Sequence, residues 1–168
     1  MAVVGSAAGG LRAAPRATVL QLRAPELTVA ALEREARELV ASSPLPVLVS
    51  ARCDVCLAVG AGGVNLPELD IAIADARALL GERLVGRSVH SLESARNAER
   101  EGADFIIFGP VWSSTSHPRA SPAGLDALAY VARGVSIPVI AIGGVTQNRI
   151  ADVRAAGAAG YAAIGLFK

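Results

Sequence analysis

Residues 137–147 read Ile-Pro-Val-Ile-Ala-Ile-Gly-Gly-Val-Thr-Gln. The run Val139-Ile140-Ala141-Ile142 has no polar residue on either face, which suits a parallel strand covered on both sides. Gly143 and Gly144 follow it. Thr146 comes next, a good N-cap for a helix carrying Ile150 and Val153. Strand, Gly-Gly and capped helix form a layout that can hold a phosphate. Glycine lets backbone N–H groups approach closely, and a helix N-terminus favours an anion. A tight βα turn without a ligand reads the same way.

Proton transfer near neutral pH suits histidine, whose unperturbed pKa is about 6.5. The chain has two. His90 lies two residues beyond Ser88, on the same face of a strand, and a structural role is expected of it. His117 sits in a loop rich in Ser and Pro, residues 113–122, and is the candidate if the protein moves a proton. Cys53 and Cys56 make a lone C-x-x-C with no second pair and no histidine at ligand spacing. They read as two small buried hydrophobes sharing one helix face. Arg52 and Asp54 read as a local ion pair or helix cap. Arg87 should point away from Ser88, either solvated or packed between helices. Trp112 could cover a bound ring or anchor a loop.

The elements that position these residues alternate. Strands are expected near residues 18–22, 47–49, 63–66, 84–88, 105–108, 138–142 and 161–164, with helices between them. Thr28 and Ser91 are expected helix caps. Gly60, Gly102 and Gly157 each stop a helix before a Gly-Ala joint and a strand, as in repeated βα units. Strict alternation implies a parallel sheet, doubly wound or closed. No glycine-rich fingerprint follows the first strand, which counts against a dinucleotide fold. Eight-stranded barrels often bind phosphate after strands seven and eight. Gly143 and Gly165 occupy those two places if one strand is missing at the front.

At 168 residues the chain has the length of one domain, and 52% hydrophobic residues supply a large core with little aromatic content. A net charge of +1 gives no electrostatic reason to expect nucleic acid or an anionic membrane as partner. No apolar run approaches the roughly 20 residues of a membrane span. The first residues are rich in Ala and Gly, with Arg12 and Arg16 and no acid. A cytoplasmic location is expected.

From Gln21 onward the chain resembles the thiamine phosphate synthase/TenI family. The match is carried by Gln21-Leu-Arg23, Arg52-x-Asp54, Gly63-Val-Asn-Leu66, Gly86-Arg-Ser-Val-His-Ser-Leu-Glu93, Gly102-Ala-Asp-Phe105, Phe108-Gly-Pro-Val-Trp112 and residues 137–146. The resemblance implies a TIM (β/α)8-type barrel binding a thiazole phosphate at the carboxyl ends of its strands. The family's first strand has no clear counterpart before Thr18, with Ala2 to Val4 at best a stub of it, and its closing helix has none after the last strand. Residues 1–17 are therefore expected to be a poorly structured remnant, or part of a fragment, and residues 18–168 the barrel domain. Association through the gap, into a homo-oligomer, is expected.

The expected site has Gln21, Ser50, Asn65, His90, Thr115, Gly143, Gly144, Ile164 and Gly165 as binding residues, and Ser88, Arg23 and His117 as catalytic ones; of these, Gln21, Arg23 and Ser88 match the family's polar residues. Synthases join a pyrimidine pyrophosphate to the thiazole phosphate with Mg²⁺, for which Asp70 is the matching ligand. Their Asn-Asp pair is Ser50-Ala51 here, their Gln is Glu68, and a loop Lys is His117. Thiazole tautomerases need no metal, but their histidine position is Pro110. Residues 86–93 look more like the TenI branch. The expected function is thus a TenI-like protein that binds and isomerises a thiazole phosphate without a cofactor. A Mg²⁺-dependent synthase and a catalytically silent binding protein are the alternatives.

Overall fold

Eight parallel strands follow one another in chain order around one sheet in the computed structural model, which describes residues 1–114 and 121–167. They are β1 (Ala2–Val4), β2 (Leu20–Leu22), β3 (Val47–Ser50), β4 (Gly63–Leu66), β5 (Leu84–Val89), β6 (Phe105–Phe108), β7 (Val139–Ile142) and β8 (Gly160–Ala162). Among the described residues seven α-helices intervene: α1 (Ala7–Ala13), α2 (Val29–Ser42), α3 (Cys53–Val59), α4 (Ile73–Leu80), α5 (Leu92–Arg100), α6 (Gly124–Gly134) and α7 (Ile150–Ala155). A 3-10 turn, Gly165–Phe167, follows β8.

The expected gap at the front is filled. β1 pairs with β2 over three residues, and Ala2 bridges Ala163 beyond β8. The Val3 N–H donates to the Ala163 carbonyl at 3.0 Å, and the Ala163 N–H to the Met1 carbonyl at 3.2 Å. The sheet thus closes on itself as a TIM-type barrel, and the missing first strand is corrected to β1. Residues 1–17 are no remnant either. Ser6 caps α1 by accepting from the Gly9 N–H, and α1 packs on α2 so closely that a Cβ on Gly10 would stand 2.5 Å from Leu39 Cδ1. The exposed aliphatic interior through which association was expected is therefore covered.

Strand alternation splits the core in two. Leu20, Leu22, Val49, Val64, Leu66, Val85, Ile106 and Phe108 face the helices in one large cluster. Leu48, Phe105 and Ile107, with Val19, Ile140 and Ile142, form a smaller cluster inside the barrel. Phe105 fills the interior beside Gly86, where a Cβ would lie 2.2 Å from the ring. The joints read from sequence are present: Gly60, Gly102 and Gly157 have φ of 71°, 90° and 88°, the left-handed region that a helix stop favours. Thr28 and Ser91 cap α2 and α5 as expected.

Candidate active site at the mouth of the barrel

The apolar interior gives way to polar side chains toward the carboxyl ends of β2 to β5. Gln21 on β2 donates from Nε2 to Ser50 Oγ on β3 at 3.3 Å. Asn65 on β4 donates from Nδ2 to Ser88 Oγ on β5 at 2.9 Å. Gln21 and Asn65 are each 3% exposed, and their carbonyl oxygens, Gln21 Oε1 and Asn65 Oδ1, are buried without a hydrogen-bond partner. A buried acceptor left unpaired costs about 1–3 kcal/mol. Two such acceptors lie toward one end of the barrel. Arg23 lies just past β2, exposed at the same end.

Across the mouth, Gly143 and Gly144 follow β7 with φ of 93° and 64°. A Cβ on Gly143 would lie 2.6 Å from Pro110, and one on Gly144 would lie 2.6 Å from the Ser113 carbonyl and 2.7 Å from Trp112 Cβ. Both glycines therefore let the β7 turn nest against the residues after β6. The Arg149 guanidinium seals this contact. It donates to the Gly144 carbonyl at 2.7 Å and lies 4.8 Å from the Trp112 ring centroid. Trp112 is thus a loop anchor. Thr146 makes no side-chain cap, because the chain first forms a 3-10 turn, Gln147–Arg149. Gly165 differs: a Cβ there would meet nothing within 4 Å. Ile164 beside it is 37% exposed.

Some expected residues stand apart. His90 is exposed; its Nδ1–H donates to the Gly109 carbonyl and its backbone N–H to Glu68 Oε1 at 3.2 Å. It ties the ends of β5 and β6 to the β4–α4 connection. Thr115 and His117 lie outside the described residues. Arg87 is buried on the opposite face from Ser88, the packed one of the two expected alternatives, and its guanidinium donates to two backbone carbonyls of the β4–α4 connection. Sequence reasoning missed that role and that of Arg149. A charged residue on the helix-facing side of a strand was the available signal for Arg87.

Among the described residues no three Asp, Glu, His or Cys converge on a metal centre. Mg²⁺ seldom needs such a cage, since one or two carboxylates and substrate phosphates suffice. Asp70 suits that open form. Its Oδ1 accepts from the Ile71 N–H at 2.8 Å, while Oδ2 has no partner among the described residues. Burial chiefly, and then the charges of Asp70 and Asp54, raise the thiol pKa of Cys53, which opens α3 just past the end of β3. Ala51 stands there with φ of 65°, the one described non-glycine residue in the left-handed region.

The model of the family described as thiamine monophosphate synthase matches residues 7–167. The chain belongs to this family. It is 42% identical over 152 residues to the thiamine-phosphate synthase of Chloroflexus aurantiacus, covering 88% of this chain and 70% of that protein. It is 41% identical over 160 residues to that of Anaeromyxobacter dehalogenans, covering 93% and 69%. The thiamine phosphate pyrophosphorylase structure from Pyrococcus furiosus superposes with a TM-score of 0.88 at 29% identity, covering 98% of this chain and 83% of that one. These findings overturn the expected TenI-like isomerase. Relatives 38–42% identical carry the synthase name.

Proposed function

We propose that the protein is a thiamine-phosphate synthase, joining a pyrimidine pyrophosphate to a thiazole phosphate. The observation that carries this is the pair of buried, unpartnered oxygens, Gln21 Oε1 and Asn65 Oδ1, at the mouth of a synthase-family barrel. An amino-substituted ring entering there would donate N–H to both. Ser50 and Ser88 engage the two amide nitrogens and leave the oxygens as the groups available to accept.

In the reaction, the thiazole nitrogen forms a bond to the pyrimidine's methylene carbon as the carbon–oxygen bond to pyrophosphate breaks. The bonding pair leaves with pyrophosphate, and the nitrogen takes the positive charge. No proton changes hands, so a floor of uncharged amides and hydroxyls suffices. Asp70, with Glu68 nearby, would hold Mg²⁺, which when bound offsets charge on the leaving pyrophosphate. Arg23 is placed to add a cation at the rim. The turns at Gly143–Gly144 and Ile164–Gly165 supply backbone for the thiazole phosphate. A cytoplasmic location accords with such an enzyme.

The test supplies both substrates with and without Mg²⁺ and follows pyrophosphate release and the condensed product. We expect product only with both substrates and the metal. Ala51→Asp restores a carboxylate beside Asp70 and should lower the Mg²⁺ concentration for half-maximal rate roughly three- to tenfold. Tight binding of the thiazole phosphate with no product under any condition would mark the protein as a silent binder instead.

A further inference from the structure

The alternation that turns Ser88 into the barrel turns Arg87 outward, beneath the helix layer, where it is 5% exposed. Among the described residues no carboxylate pairs with it. A buried guanidinium without an anion is unfavourable unless its donors are well used. Arg87 uses them on one segment: Nη1 donates to the Pro67 carbonyl and Nη2 to the Ile71 carbonyl, both at 2.6 Å. One rigid planar fork thus grips both ends of the connection from β4 to α4.

Between the two grips lie Glu68, Leu69 and Asp70. Leu69 is 97% exposed, so this stretch gains little from burial of its own. Glu68 is drawn to His90 through the backbone bond described above. Asp70 depends on the gripped residues. Its N–H donates to the Pro67 carbonyl at 3.3 Å, and its Oδ1 accepts from the Ile71 N–H at 2.8 Å. Both residues that hold Asp70 are the ones Arg87 holds.

We infer that Arg87 is a positioning residue. It fixes the β4–α4 connection so that the Asp70 carboxylate is preset for a divalent cation, without touching substrate itself. This rests on the synthase reading for the identity of the cation. Lysine cannot replace it fully, because an ammonium lacks the planar fork that spans two carbonyls.

The test uses Arg87→Met and Arg87→Lys in the full chain. Mn²⁺ binding to the free protein is followed by electron paramagnetic resonance, and amide exchange at residues 68–71 by mass spectrometry. Arg87→Met should weaken Mn²⁺ binding about tenfold or more, the usual consequence of removing support behind a metal ligand. It should also speed exchange at those amides, and turnover should recover at high Mg²⁺. Arg87→Lys should fall between Arg87→Met and wild type. Unchanged Mn²⁺ affinity, or turnover lost and not recovered by Mg²⁺, would overturn the inference. If Arg87→Met does not fold, Arg87→Lys decides by the same two readings. A wild type whose Mn²⁺ binding depends on Arg87 in this way yet makes no product defeats the synthase reading and leaves this one standing. A wild type that binds no Mn²⁺ defeats the positioning role.

Discussion

Gln21 and Asn65 are ordinary strand residues by position, and only their surroundings give them a task. Each has its amide nitrogen committed to a serine and its oxygen left over. Such a residue trades stability for readiness to bind. We expect Gln21→Met to change unfolding free energy by no more than about 1 kcal/mol, because the unsatisfied oxygen goes with the lost bond and half-buried Ser50 can hydrate. The same change should lower kcat/KM at least tenfold, by roughly 1.4 kcal/mol or more of transition-state stabilisation. Urea denaturation and steady-state kinetics on one preparation check both. A large loss of stability with unchanged kinetics would mean that the amide is structural. Both residues were named from sequence, since each falls inside a motif. What sequence could not show is which atoms remain unpaired, because that depends on neighbours from other strands.

At the scale of elements, legibility followed length. The apolar runs of β3, β6 and β7 and the stop glycines were plain, because several residues or repeated joints report each one. β1 was missed because three residues are too few to show a period, and Gly5-Ser6 follows at once. α1 was missed because Gly9 and Gly10 are poor helix formers. Gly10 is there for closeness to Leu39, a tertiary reason that no local propensity reveals. The start of α3 gives an element-level prediction. Arg52 pairs with Asp54 in the first turn, and the side-chain hydrogen bond from Arg52 chiefly lowers the Asp54 carboxyl to about 2. The folded value lies below the unfolded one, so the pair stabilises above the ordinary carboxyl range, and this is lost as pH falls through about 2. Both side chains are largely exposed, so the effect should stay below about 1 kcal/mol. Asp54→Asn should be slightly less stable than wild type at pH 7 by urea denaturation, and the gap should shrink toward pH 2. A gap that widens in acid would show that the pair is not its source.

The whole barrel depends on its seam. Cys56 is fully buried on the far side of β3, and burial pushes its thiol up to about 11. A thiol reagent should therefore reach it only when the barrel opens, at least about 1,000-fold more slowly than in the unfolded chain. Ala2 is also fully buried at the β1–β8 bridge. Ala2→Asp would place a carboxylate in the seam and should cost about 3 kcal/mol. If the seam and the core open together, Cys56 labelling in Ala2→Asp should speed roughly 100-fold. Unchanged labelling alongside rapid exchange at β1 amides would mean that β1 is only a local strap.

The Ala2–Ala163 bridge also sets a timetable for the growing chain. β1 leaves the ribosome before every other strand of the barrel, and the strand that completes its pairing emerges only after the six between them. At roughly 5–20 residues per second, β1 waits on the order of ten to thirty seconds with one edge unpaired. During that interval α1 and α2 can already cover its outer face, but its inner face, which includes Val3, has no partner. Synthesis is thus a period in which this chain needs shielding from its neighbours.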